Sequence, residues 1–289
     1  MTTFLDVRAQ AGGGDVGSQV FIGTGTALSN YGPLSLSDLL SFIHGKDVLI
    51  GTHGFNVNRQ GGIEDFAYWE SLLSLPPNGV FVGLLWPGDS ESLHALSYPV
   101  EPRNATASGN MIADFVNRQF GNATSVSFVS HSLGARVVLQ AVSRINRKVR
   151  RLILMAGAVG DDCLTAEFSA VPANVEVISV IASREDAVLR WAFPAGDLGA
   201  EIVDRTHPWW ESALGRFGPR KAPSNFQPPF QVPDAWDYGH GDYLQTQPPA
   251  PGSLPPPAEI PASSGWTPFN GSDGWEEAWS AGFVSTRFR

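Results

Sequence analysis

Apolar residues along this chain recur in two rhythms that take turns. Short β-branched or aliphatic runs at 46–51 (K-D-V-L-I-G), 80–86, 126–129, 151–158 and 175–182 read as buried strands. Between them apolar positions recur at helical spacing: Phe66, Trp69, Leu72 and Leu73 within 63–75, a stretch from about 107 to 120, and positions 133, 137, 138, 141, 142 and 145. Breakers punctuate the change of rhythm, Pro76-Pro77-Asn78-Gly79 after one helix and Pro87-Gly88 after one strand. Strands alternating with helices from 46 to 182 predict an α/β domain with a mainly parallel sheet covered on both faces. Upstream, 3–9 and 19–24 flank Gly12-Gly13-Gly14 and read as an antiparallel hairpin at a sheet edge, with a short helix beginning at Ser37.

Composition narrows the function classes. The 289 residues are enough for one large α/β domain or two small ones, and an apolar fraction of 43% supplies a full core. A net charge of -9 argues against a nucleic-acid partner, because little here would neutralise phosphates. No stretch is long and apolar enough to span a membrane, and the start lacks a basic, apolar leader, so a cytoplasmic protein is expected. Cys163 is the single cysteine, which excludes an intrachain disulfide. No His, Cys or Asp cluster has metal-ligand spacing, and no metal or other cofactor is expected.

The chemistry concentrates where the strand at 126–129 becomes the helix beginning at Leu133, through Ser130-His131-Ser132-Leu133-Gly134. A strand that turns into a helix within one residue forces that residue into strained backbone, and only small side chains fit two positions either side. Ser130 and Gly134 meet that demand, although Ser130 replaces the first glycine of G-x-S-x-G. Such a nucleophile elbow lifts the Ser132 hydroxyl clear of the sheet and sets the Leu133 amide at a helix N-terminus, where it can stabilise an oxyanion. His53-Gly54-Phe55-Asn56, at another strand end, lets the backbone fold back, and the Phe55 amide is the second oxyanion donor expected.

A serine nucleophile needs a base, and the base needs a carboxylate to fix its tautomer. Asp186, in Ser183-Arg184-Glu185-Asp186 after the strand at 175–182, is the first choice of acid. Glu185, Asp161 and Asp162 stand behind it, and a helix cap is the competing reading of Asp186. Downstream only His207 and His240 remain. His240, between Gly239 and Gly241, suits a loop that brings an imidazole over the serine, whereas His207 is followed by Pro208, Trp209 and Trp210 and reads as packing. His53, Trp86 and His131 are candidate substrate-contact residues beside the elbow, with structural roles as the alternative: His53 as a loop brace, Trp86 as core, and His131 with its ring pointing away from Ser132. Trp191, Trp209, Trp210 and Trp236 are a candidate substrate wall. The cations Arg144, Arg147, Lys148, Arg150 and Arg151 read as a complement to a helix C-terminus.

Taken together, His-Gly-Phe-Asn after a strand, the Leu-Leu-Trp-Pro strand end and Ser-His-Ser-Leu-Gly-Ala-Arg-Val resemble the α/β-hydrolase superfamily, most closely its bacterial DUF900 branch. The resemblance covers roughly residues 46–245 and implies an α/β-hydrolase fold with no large cap, since 161–174 leaves no room for one. It also implies hydrolysis of a small-molecule ester through an acyl-enzyme, with lipase, amidase or peptidase activity or a non-catalytic binding role as alternatives. The chain divides into a catalytic domain over 1–245 and a tail over 246–289, Pro-rich to 261 and then aromatic: Trp266, Phe269, Trp275, Trp279, Phe283 and Phe288. So many aromatics predict a tail that docks on the domain or makes a homo-oligomer through a neighbouring subunit.

Overall fold

The computed structural model describes residues 1–9, 14–89, 101–190, 212–228, 231–232, 234, 237–244 and 279–289. Eight strands form one sheet in the order β3-β2-β1-β5-β4-β6-β7-β8. They are β1 (Thr2–Arg8), β2 (Val16–Gly25), β3 (Gly32–Pro33), β4 (Asp47–Thr52), β5 (Gly79–Leu85), β6 (Ser125–His131), β7 (Val149–Met155) and β8 (Val175–Ile181). β1 to β2 and β2 to β3 are antiparallel, and every other neighbouring pair is parallel. This is the fold class the alternating rhythms and the resemblance anticipate: a mostly parallel sheet with an N-terminal antiparallel hairpin.

The helices follow the sequence closely, with corrections at their starts. α1 (Leu36–Ile43) is capped by Ser35, whose hydroxyl accepts from the Asp38 amide at 3.1 Å. α2 (Arg59–Leu72) begins four residues before its first apolar position, because Asn58 caps it through the Gly61 amide at 2.8 Å and Gly61-Gly62 hide the start. α3 (Glu101–Gln119) likewise begins ahead of 107, on a polar first turn without apolar markers. α4 (Gly134–Arg144) presents Val137, Val138, Leu139, Ala141 and Val142 to the core. A short α5 (Val171–Asn174) leads into β8, and a short α6 (Leu214–Phe217) follows later. With β5 on one side of β4 and β6 and β7 on the other, the right-handed rule for parallel crossovers assigns α2 to one face of the sheet and α3 and α4, which pack on each other, to the opposite one.

The hairpin stands at one side of the sheet, with only the two-residue β3 beyond it. β1 lies between β2 and β5, and all seven of its residues are buried. Its polar positions suggest an exposed face but are satisfied internally: Asp6 pairs with Arg59 at 2.8 Å, and Arg8 reaches Asp89 and the Val57 carbonyl. The edge itself is the two-residue β3, with Pro33 blunting it.

The basic run after α4 also does more than complement a dipole. Arg147 donates to the carbonyls of Phe120, Ala123 and Thr124 at 2.7, 3.1 and 3.1 Å, closing the turn that ends α3. Arg150 and Arg151 donate to the carbonyls of Arg289 and Arg287 at 2.6 and 2.8 Å, capping the last turn of α7 (Trp279–Phe288). α7 packs on α2 and β7, burying Ala281, Phe283, Val284 and Phe288. The Ser285 hydroxyl accepts from the Ser74 amide at 2.9 Å. The Pro-rich segment and Trp266, Phe269 and Trp275 lie outside the described residues.

Candidate active site

Topology selects one spot on the sheet before any side chain is considered. From β4 the chain crosses outward to β5 and then returns past β4 to β6, so connections leave the neighbouring ends of β4 and β6 in opposite directions. In open α/β sheets ligands bind in the crevice this makes at the carboxyl ends of the strands. The register sets Thr52 of β4 beside Ser130 of β6, so His53-Gly54 and His131-Ser132 leave the sheet side by side.

Ser132 occupies the turn with φ 54°, a left-handed conformation that costs a serine about 1–3 kcal/mol. Surrounding backbone bonds hold it there. Its amide donates to the Met155 carbonyl at 3.0 Å, and its carbonyl accepts from the amides of Ala135 at 3.0 Å and Ala158 at 3.1 Å. Two glycines make the fit possible. A Cβ at Gly134 would meet the carbonyl oxygens of His53 and Thr52, and one at Gly54 would lie 2.7 Å from the Ser132 Cβ. Ser130, in the first glycine's place, is wholly buried. Leu133 is the N-cap residue of α4, and half-buried Phe55 follows the glycine that abuts Ser132.

The base and acid chosen from the sequence meet this serine. His240 Nε2 lies 2.7 Å from Ser132 Oγ, and His240 Nδ1 lies 2.7 Å from Asp186 Oδ2. With Nδ1–H donating to the carboxylate, Nε2 is left to accept the serine proton. Asp186 is fully buried, and its other oxygen accepts from the Leu189 amide at 2.8 Å. One carboxylate oxygen thus faces the imidazole while the other caps the turn that follows. The fallback acids are engaged elsewhere or exposed. Asp161 and Asp162 face Arg220 at 2.7 and 3.5 Å, and Glu185 is on the surface. His207 and the tryptophans 191, 209, 210 and 236 lie outside the described residues.

Of their two readings, His53, Trp86 and His131 take the structural one and are turned inward rather than toward a ligand. His53 is wholly buried, with Nδ1–H donating to the Gly54 carbonyl at 2.9 Å and Nε2 accepting from the Trp86 amide at 3.3 Å. Trp86, also wholly buried, returns its indole N–H to the His53 carbonyl at 2.8 Å and stacks on the ring. The pair locks the strand ends of β4 and β5 beneath Gly54, which is why neither ring is left for a ligand. His131 does point away from Ser132, toward His240: its Nε2–H donates to the His240 carbonyl at 2.8 Å. Burial lowers the pKa of His53 and of His131 to about 3, aided by the Arg8 cation in the first case and by His240 in the second. Both rings are neutral at physiological pH.

His240 is held from its other side as well. His240 opens a single 3-10 turn, His240–Tyr243, and the Tyr243 carbonyl accepts from the Ser280 hydroxyl at the start of α7. Trp69 of α2 reaches the same hydroxyl at 3.4 Å, and the Tyr238 hydroxyl closes the loop by donating to the Asp242 carbonyl at 2.6 Å. Sequence reasoning missed Ser280 and the clamping use of His131, since nothing local marks either one.

The model of the family described as "Alpha/beta hydrolase of unknown function (DUF900)" matches residues 34–203, more than half of the chain. This chain belongs to that family. The matched span of this α/β hydrolase contains Ser132 and Asp186 and stops short of His240. Among curated proteins none matches. Solved structures similar to this α/β hydrolase include esterase PE8, at 16% identity over 68% of this chain and 86% of that one, with a TM-score of 0.36. An inhibited esterase B from Lactobacillus rhamnosis matches at 11% identity over 69% and 70%, with a TM-score of 0.37. An esterase from Pyrobaculum calidifontis matches at 14% over 76% of each, with a TM-score of 0.36. Among the described residues no group of three or more His, Cys, Asp or Glu side chains is placed to hold a metal ion. Among the same residues, no helix is long and apolar enough to cross a membrane.

Proposed function

We propose that this α/β hydrolase is a serine hydrolase that cleaves carboxylic esters of small molecules, with Ser132 as nucleophile, His240 as base and Asp186 as its orienting acid. The observation that carries the reading is the pair of 2.7 Å contacts that run from Ser132 Oγ through the His240 ring to Asp186. His240 Nε2 takes the serine proton as Oγ bonds to the ester carbonyl carbon. The resulting oxyanion is held by the amides of Leu133 and Phe55, and collapse expels the alcohol, which leaves with the proton from His240. Water then repeats the sequence on the acyl-enzyme, releasing the acid and restoring Ser132. Asp186 stabilises the transient imidazolium from a wholly buried position. No step calls for a metal or an organic cofactor.

The test is hydrolysis of p-nitrophenyl esters from acetate to decanoate, beside matched anilides and a phospholipid, by the full chain and by Ser132→Ala. Turnover of the shorter esters, reduced on the order of 10⁴-fold or more by the substitution, is expected. Turnover unaffected by Ser132→Ala would overturn the assignment. Preference for anilides or for aggregated lipid would move the reading to an amidase or a lipase with the same triad.

A further inference from the structure

We infer that His131 is the positioning residue of the base: its imidazole N–H, fixed on the His240 carbonyl, sets where the His240 ring stands over Ser132. The inference rests on the triad proposed above and adds a residue that the triad does not name.

The geometry is specific. His131 is the last residue of β6, so its backbone is fixed by the sheet and paired with Met155 of β7. Its neighbour in sequence is Ser132, while its ring contacts the loop that carries the base. The rings of His131 and His240 are 4.9 Å apart, and His131 also packs against Tyr243 at 5.9 Å. Because a carbonyl can only accept, the 2.8 Å contact to the His240 oxygen fixes the proton of His131 on Nε2. On the opposite side, a Cβ at Gly54 would lie 3.1 Å from His131 Nδ1, so the ring is wedged between the oxyanion loop and the base loop. One residue on a rigid strand thus references both loops to the nucleophile beside it.

The arrangement requires an uncharged ring. An imidazolium at 131 would stand beside His240 and oppose the positive charge that His240 takes up in each half-reaction. Facing His131 from the surrounding elements are His240 and Tyr243 from the base loop and His53 from the end of β4; Asp186 faces His240 from the loop after β8. Burial keeps the His131 pKa near 3, so across the neutral range the residue orients without titrating.

Three versions of the full chain separate this role from mere packing: wild type, His131→Leu, which fills the space without a donor, and His131→Gln, whose amide N–H reaches a similar distance. Each is assayed for kcat and KM against p-nitrophenyl acetate over pH 5–9, with a thermal melt beside every preparation. The low-field proton resonance of the His240–Asp186 hydrogen bond is recorded on the same samples and identified by its loss in Asp186→Asn. We expect kcat to fall about 10- to 100-fold in His131→Leu with KM within a few-fold, and His131→Gln to recover most of the loss. The low-field proton should broaden in His131→Leu and sharpen again in His131→Gln. An unchanged kcat and a sharp resonance in His131→Leu would overturn the inference, as would equal losses in both variants or a loss that follows the melting temperature. If wild type turns over no ester while the resonance still depends on the donor at 131, the function reading fails and the positioning role stands.

Discussion

Ser132 and His240 sit 2.7 Å apart, yet the two are placed by opposite means. Ser132 is aimed by residues next to it: the buried strand that ends at His131, the left-handed turn, and the helix that starts at Gly134. Its remaining supports come from the neighbouring strand ends. His240, 108 positions later, lies on a 3-10 turn with no strand or long helix of its own. That turn is held by His131 from the sheet and by Ser280 from a helix at the far end of the chain. Ser132 is placed by local sequence, and His240 by tertiary clamps. Damage to the first should distort Ser132 itself, whereas damage to the second should leave Ser132 in place and deprive it of a proton acceptor.

The largest expected effect comes from removing the far clamp. A chain ending at Ala250 loses α7, and with it the burial of Phe283, Val284 and Phe288. At about 1.5–3 kcal/mol for each large side chain, the loss is a large part of an ordinary domain's stability. The melting temperature should drop by many degrees, and residual folded protein should show low kcat. An unchanged melt and unchanged turnover would mean that the base loop stands without the helix.

Next in size is Gly54→Ala on the nucleophile's side. The added methyl would lie 2.7 Å from the Ser132 Cβ, so the serine or the loop after β4 must shift. A 10- to 100-fold fall in kcat is expected with a stability cost of about 1–3 kcal/mol, read by kinetics and urea unfolding. A fully active variant would show that the elbow tolerates more slack than its contacts allow.

A finer cut on the base side is Ser280→Ala. It removes the hydroxyl that joins Tyr243, Trp69 and α7, at about 1 kcal/mol for the hydrogen bond. kcat should fall several-fold with only a slight change in melting temperature. Equal proportional losses in both would make Ser280 an ordinary packing residue.

The smallest effect is a pH dependence of stability. His53 has its folded pKa at about 3, against an ordinary value of 6.5 in the unfolded chain. Between those values the unfolded state binds more protons, so stability contributed at this site falls as pH drops from 6.5 toward 3 and is level above 6.5. His131 follows the same course. Acids such as Asp65, whose pKa burial raises from 3.8 to about 6, pull the other way, because between those values the folded state binds more protons. The measurement is therefore a difference: urea unfolding of wild type and His53→Gln at pH 4.5 and 7.5. The variant should lose less stability than wild type on acidification, and an identical loss would contradict the burial argument.

What was legible in the sequence follows the same division. The strand, the turn and the helix around Ser132 could be read directly, because periodicity and small-residue demands act over a few positions. Gly239-His240-Gly241 and Ser183-Arg184-Glu185-Asp186 were legible as loop ends suited to a base and an acid. Long-range pairing was not. Asp6 and Arg8 suggest an exposed face for β1 until they are seen to find Arg59, Asp89 and Val57 inside the fold. His53, Trp86 and His131 each read two ways, as pocket residues or as structural ones, and the partners that turn them inward, Trp86 with His53 and the base-loop carbonyl of His240 with His131, lie outside their own sequence neighbourhood. Arg150 and Arg151 read as helix caps of the preceding helix, while the helix they cap is the last one in the chain. In each case the side chain's type was informative and its partner lay too far along the chain to infer.

The claim beneath all of this is that His240 makes Ser132 reactive. Incubation of the full chain with a fluorophosphonate, followed by peptide mass spectrometry, measures it most directly, with His240→Ala run in parallel. One adduct on Ser132 in wild type, and labelling slowed by orders of magnitude in His240→Ala, is the predicted result. A wild-type chain that stays unlabelled, or a Ser132 that labels equally fast without the imidazole, would contradict it.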